Sequence, residues 1–174
     1  MKKLFLALMV ITMAIPSVKA QEKMSSNSSL SLGVEASLPI GDFNDAGYNF
    51  GIGGSLQGEY KPAGDLGLTL NAGFINYFAK ETTIAGVHIN GKDFGIIPVM
   101  AGAKYYFSPK VYAHGQLGAG FGTTSGSGTF FTYTPGIGAY LSNKVDLMVK
   151  FVGYSKSGGT WNSIGARLAY NFGK

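Results

Sequence analysis

From Ser163 to Phe172 the chain alternates residue by residue. Ile164, Ala166, Leu168, Tyr170 and Phe172 fall on one side, and Ser163, Gly165, Arg167, Ala169 and Asn171 on the other. A period of two belongs to an extended strand. The full charge of Arg167 on the polar side means that this side is not an ordinary dry core. The same alternation predicts seven more strands, at Ser29–Leu38, Tyr48–Tyr60, Leu66–Tyr77, Phe94–Phe107, Val111–Phe121, Phe130–Leu141 and Val145–Tyr154.

The connections alternate too. Lys61–Asp65, Ser108–Lys110 and Ser142–Lys144 are short, whereas Pro39–Gly47, Ala79–Asp93, Gly122–Gly128 and Ser155–Thr160 are longer. An even number of strands of about ten residues, with short turns at one end and longer loops at the other, predicts an all-β fold. The architecture is an eight-stranded antiparallel up-and-down transmembrane β-barrel, with both termini at the short-turn end. Pro98 and Pro135 fall inside strands of a barrel that has no free edge, so bulges or early ladder ends are expected there.

The distribution of charge between the two faces separates a membrane barrel from a soluble one. The face that carries Leu32, Val34, Leu56, Leu70, Leu117, Val149 and Leu168 has no Asp, Glu, Lys or Arg in any strand. The opposite face carries Glu35, Glu59, Lys104, Asp146, Lys150 and Arg167, together with His114. A soluble lipocalin-like carrier would show the reverse. A Lys or Arg facing lipid at mid-bilayer costs about 2–4 kcal/mol, which accounts for the uncharged outer face. Aromatic residues gather at strand ends, as interfacial belts require. Tyr60, Tyr105, Phe107, Tyr170 and Phe172 are expected at one interface. Tyr48, Phe50, Phe74, Phe94, Phe121, Phe131, Tyr133, Phe151 and Trp161 are expected at the other.

Composition narrows the picture further. The 174 residues include 27 glycines and only 13% charged side chains, against about 25% in an average soluble domain. Lys2 and Lys3, the apolar run Leu4–Ile15 and the small-residue exit to Ala20 read as a cleavable signal peptide over residues 1–20. The run is too short for a membrane-spanning helix, which needs about 20 apolar residues. Residues 21–28 form a short polar segment and 29–174 the barrel. Without Lys2, Lys3 and Lys19 the chain keeps 11 basic and 9 acidic side chains, a net charge of +2. No basic stripe remains to hold nucleic acid. Cysteine is absent, so there is no disulfide scaffold, lipid-anchor cysteine or thiolate chemistry.

The leader, the eight alternating strands and the ending Leu168-Ala169-Tyr170-Asn171-Phe172 resemble the small outer-membrane β-barrel family of the OmpA/OmpX type. The likeness is strongest to versions common in Bacteroidota. The resemblance covers the whole chain after residue 20. It implies residence in the cell outer membrane, contact with outer-membrane lipid and lipopolysaccharide, and insertion by the barrel-assembly machinery, which reads a C-terminal aromatic strand. Gly173-Lys174 after Phe172 departs from that terminal pattern.

The candidate site is the inward charge set Glu35, Glu59, Lys104, His114, Asp146, Lys150 and Arg167. Glu35 and Arg167 become neighbours when the first and last strands meet. Lys150 is expected beside Arg167, and Lys104 near His114. Buried charges persist when paired, and side chains just fill an eight-stranded interior. Both considerations predict a packed polar interior without a pore. The function that follows is a non-enzymatic, monomeric barrel serving envelope structure or surface recognition through its outer loops, with no cofactor. The alternative is a lipid-modifying enzyme (lipid A deacylase-like) using His88 with Glu81 near the outer rim, although no matching motif accompanies them. A metal site needs more ligands than two isolated histidines supply. The runs Gly51–Gly54 and Gly118–Gly122 neither complete a phosphate-binding pattern nor precede a helix.

Overall fold

The computed structural model describes residues 27–84, 87–124 and 126–172, with the side chains of 63 and 81–90 outside the description. Residues 1–20, the expected signal peptide, therefore lie outside the described residues. The strands are β1 (Ser28–Ile40), β2 (Tyr48–Ala63), β3 (Leu66–Ala79), β4 (Glu81–Ile84), β5 (Val87–Asn90), β6 (Phe94–Tyr106), β7 (Val111–Gly122), β8 (Thr129–Tyr140), β9 (Val145–Lys156) and β10 (Gly159–Asn171). One short helix, α1 (Asp42–Asp45), follows β1.

Eight of the strands close on themselves in the order β1-β10-β9-β8-β7-β6-β3-β2, every neighbouring pair antiparallel. This is an up-and-down meander whose last strand returns to its first. Closure leaves no unpaired strand edge, a requirement for any sheet crossing lipid. Alternation decides the faces. Val34, Leu70, Leu117 and Leu168 are exposed on the outside, while Glu35, Asn71, Gln116 and Arg167 are buried inside.

Two of the short turns share one device. In Ser108-Pro109-Lys110-Val111 and Ser142-Asn143-Lys144-Val145, the serine Oγ accepts the backbone N–H groups two and three residues on, at 3.1–3.4 Å. Local side-chain bonds of this kind satisfy the turn and end the strand. Ser28, at the start of β1, and Asn171, at the end of β10, lie at this same end of the barrel.

The opposite end, the mouth, departs from the sequence expectation in three places. The segment Pro39–Gly47 is not simply a loop, because α1 sits in it and buries Phe43 completely. The Ala79–Asp93 connection contains the hairpin β4–β5, a separate two-stranded sheet. The expected loop Ser155–Thr160 is a two-residue turn between Lys156 and Gly159, with Gly158 at φ 95°. Glycine takes that left-handed backbone without steric cost, so β9 and β10 run on and the fourth long loop does not exist.

The prolines also behave differently from expectation. Between Ala72↔Val99 and Ile75↔Ile96 the β3–β6 ladder lapses opposite Pro98, then resumes in the same register. The β8–β9 ladder does the same at Pro135, between Tyr133↔Gly153 and Gly136↔Lys150. Each proline lacks one N–H and forfeits local ladder bonds, but the partner strands are held in register on either side of the gap. The register shifts occur in β2 instead, between Tyr48 and Phe50 and between Tyr60 and Ala63.

Candidate functional site

The interior is filled in layers. Midway along the seam of β1 and β10, Glu35 pairs in register with Arg167. Lys150 Nζ lies 2.5 Å from Glu35 Oε2, and Arg167 Nε lies 3.8 Å from Oε1. The guanidinium is held mainly by hydroxyls: Nε donates to Ser55 Oγ at 2.8 Å and Nη2 to Ser31 Oγ at 3.1 Å. Gly33 makes this possible. A Cβ at that position would stand 2.6 Å from Arg167 Nε, inside van der Waals contact.

A second cluster lies nearer the termini. Lys104 Nζ donates to Glu59 Oε2 at 2.9 Å, and the Tyr106 hydroxyl donates to Glu59 Oε1. Lys104 Nζ also sits 4.4 Å from the Tyr112 ring centroid, an added electrostatic attraction to the ring face. Asp146 is satisfied differently. It accepts from Tyr112 Oη at 2.8 Å and Asn171 Nδ2 at 2.9 Å, and it enters no ion pair among the described residues. Tyrosine and asparagine donors satisfy this carboxylate without a cation.

His114 stands opposite Lys104 in the ladder, but its ring contacts are elsewhere. One nitrogen shares a hydrogen bond with Thr69 Oγ1 at 2.9 Å and the other lies 3.3 Å from Met148 Sδ. All seven sequence-selected residues are therefore inside, in two ionic clusters with Asp146 and His114 on neutral partners. Three carboxylates face three full cations, so the formal charges of the interior balance.

Above the Glu35 cluster, toward the mouth, Ser37 Oγ donates to Ser163 Oγ at 2.9 Å, and the hydroxyls of Tyr77 and Tyr154 approach each other at 3.2 Å. Over them lies an aromatic assembly that sequence reasoning missed. Phe43 meets Tyr77 edge-on at 4.6 Å and stacks on Trp161 at 4.9 Å with only 6° between the planes. Phe94 and Phe130 are buried beside them, and Tyr48 packs against the group. Tyr48, Phe94 and Trp161 are thus not members of the lipid-facing belt. The register shift after Tyr48 turns its ring inward while Phe50 still faces out. The signals available in the sequence were the parity of Phe94 and Trp161, which matches that of inward Lys104 and Arg167, and Phe43 itself, an isolated aromatic flanked by Asp42 and Asn44. Lys80 fixes the segment by donating to Asn44 O at 3.0 Å and Oδ1 at 2.8 Å.

An open cleft of about 460 Å³ lies against this assembly, lined by Tyr48, Lys92, Asp93, Phe94, Lys156 and Trp161 among others. Glu81 and His88, the enzyme candidates, have side chains outside the described residues. Their backbones lie in the β4–β5 hairpin, paired with Asn90 and Thr83 respectively.

The sequence matches the family model described as "Outer membrane protein beta-barrel domain" over residues 4–172. No curated protein matches the sequence. Among solved structures, the outer-membrane protein Ail of Yersinia pestis in a nanodisc is similar at a TM-score of 0.60 and 17% identity. The match covers 83% of this chain and 99% of that one. Ail crystallised in complex with the heparin analogue sucrose octasulfate gives a TM-score of 0.57 at 23% identity, covering 83% and 97%. The N-terminal β-barrel domain of Pseudomonas aeruginosa OprF gives 0.52 at 15%, covering 83% and 97%. At these identities the likeness establishes the fold.

Proposed function

This chain belongs to the outer membrane protein beta-barrel domain family, and from that premise we propose that it is a closed, non-enzymatic barrel that recognises partners at its loop-bearing mouth. In this reading the mouth faces outward, the short turns and termini face the periplasm, and residues 1–20 are removed on export. The outer face meets outer-membrane lipid and lipopolysaccharide, the barrel-assembly machinery inserts the chain, and it works as a monomer.

The observation that carries the reading is the occupied lumen. The Glu59–Lys104 cluster, the Glu35–Lys150–Arg167 cluster and the Phe43 assembly succeed one another along the barrel axis, each with buried side chains. A lumen of eight strands has room for side chains and little else. His114 is buried within that lumen and bonded to Thr69 and Met148. What remains accessible is the mouth. Ail's complex with a heparin analogue is a property of that protein, and it is an instance of this fold presenting a ligand site.

The test has two arms. Folded chain reconstituted into planar lipid bilayers should give no conductance steps, and cell fractionation should find it in the outer membrane with heat-modifiable gel migration. Steady ion conductance, or recovery in the soluble fraction, would overturn the reading. A lipid A acyl-release assay on the same preparation should be negative, and a positive result removed by His88→Ala would establish the enzyme alternative instead.

A further inference from the structure

The cleft at the mouth combines an aromatic floor with a cationic rim. Phe94 and Phe130 are 4% and 6% exposed, while Trp161 and Tyr48 are half-buried. The rings hold one another in place. Trp161 lies 5.3 Å from Phe94 in an edge-to-face arrangement and 5.8 Å from Phe130, with Phe43 stacked beneath it. Such pairs favour fixed geometries, so the floor is pre-formed.

The rim carries Lys92 and Lys156, and neither makes an ion pair among the described residues. Lys156 Nζ donates to Ser127 O at 2.6 Å, which occupies one of its three N–H groups. The one acid on the rim, Asp93, is already engaged. Its Oδ1 accepts from Ala79 N at 3.1 Å and its Oδ2 from Asn76 Nδ2 at 3.3 Å. Those neutral donors leave its charge in place, and two lysines against this one carboxylate give the rim a formal net charge of +1.

We propose that this cleft binds a small water-soluble organic anion, whose ring or short-chain body rests on the aromatic floor while its acid group engages Lys92 and Lys156. The lining comes from the inward faces and mouth connections of β2, β6, β8, β9 and β10. The cleft thus opens to the aqueous side of the mouth and not to the lipid face, and a guest must arrive from water. An apolar body displaces water from the floor, and a carboxylate, sulfate or phosphate forms charge-assisted hydrogen bonds at the rim. Pockets of this size, mostly apolar with a few polar groups, suit small ligands. The proposal rests on the mouth being the recognition surface and adds the chemical class that it takes.

Trp161 is the only tryptophan in the chain, and its emission reports directly on the cleft. Folded chain in zwitterionic phosphocholine micelles is titrated with cyclohexanecarboxylate, with neutral cyclohexylmethanol and with acetate. The carboxylate should shift Trp161 emission saturably, the alcohol should bind at least tenfold more weakly, and acetate should have no effect. Lys92→Gln with Lys156→Gln should weaken carboxylate binding about tenfold while heat-modifiable migration is retained, equivalent to about 1.4 kcal/mol. A linear response without saturation, equal responses to carboxylate and alcohol, or an unchanged affinity in the double variant would each overturn the proposal. A barrel that conducts no ions and fractionates with the outer membrane, yet fails this titration, loses the cleft alone. Ion conductance would strike the reading of the whole protein.

Discussion

Glu35 and Arg167 face each other across the seam where β1 meets β10, yet the carboxylate is closer to a third residue. Lys150 Nζ is 2.5 Å from Glu35, while Arg167 Nε stands 3.8 Å away and donates to Ser55. One buried carboxylate thus serves two buried cations, one of them supported by hydroxyls. Replacing Glu35 with glutamine leaves Lys150 without a counter-charge in a low-dielectric interior. Breaking such a pair from one side costs about 3–5 kcal/mol. Urea unfolding followed by heat-modifiable gel migration should show a loss of that size for Glu35→Gln. Adding Lys150→Met should recover a large part of it, because the uncompensated cation is gone. An unchanged midpoint for the single variant would mean that the cluster holds its charges in some other way.

Gly33 and Gly58 offer a matched contrast. A methyl at Gly33 would meet Arg167 at 2.6 Å, whereas a methyl at Gly58 has nothing within 4 Å. Gly33→Ala should destabilise the barrel by about 1–3 kcal/mol through overpacking. Gly58→Ala should stay within about 0.5 kcal/mol of the parent. The same unfolding measurement separates them.

The uncharged outer face predicts a dependence on depth. Val34 is 61% exposed near the middle of β1, and Phe107, at 62%, lies just beyond the end of β6. Val34→Lys should cost about 2–4 kcal/mol in lipid vesicles, and Phe107→Lys no more than about 1 kcal/mol. Equal costs at the two positions would contradict a bilayer centred on the strands.

Phe43 is expected to govern order at the mouth more than the stability of the barrel. Its segment is fastened by the stack on Trp161 and by Lys80 bonded to Asn44, while the eight-strand ladders lie elsewhere. Phe43→Ala should move Trp161 emission to longer wavelength and speed protease cleavage within residues 41–47. The global unfolding midpoint should change little, since weakly fastened segments open independently of the ladder. A large loss of global stability without local cleavage would show that α1 is integral to the barrel.

Much of this was legible in the chain itself. Alternation with period two is a local property, so the eight strands, their faces and the confinement of charge to the interior follow from residue order together with the cost of charge in lipid. Closure was also readable, because an even meander with its last strand antiparallel to its first brings Glu35 opposite Arg167. The sequence carried no comparable signal for contacts between distant residues within the lumen. Asp146 is satisfied by Tyr112 and Asn171 rather than by a cation, a choice made by the three-dimensional reach of side chains from separate strands. Phe94 and Trp161 share the parity of the inward residues Lys104 and Arg167, so alternation alone turns them inside, and only Tyr48 needs the register shift in β2 to join them around Phe43. Periodicity determined which residues could share a face, and only closure of the barrel around Phe43 decided what those residues would touch.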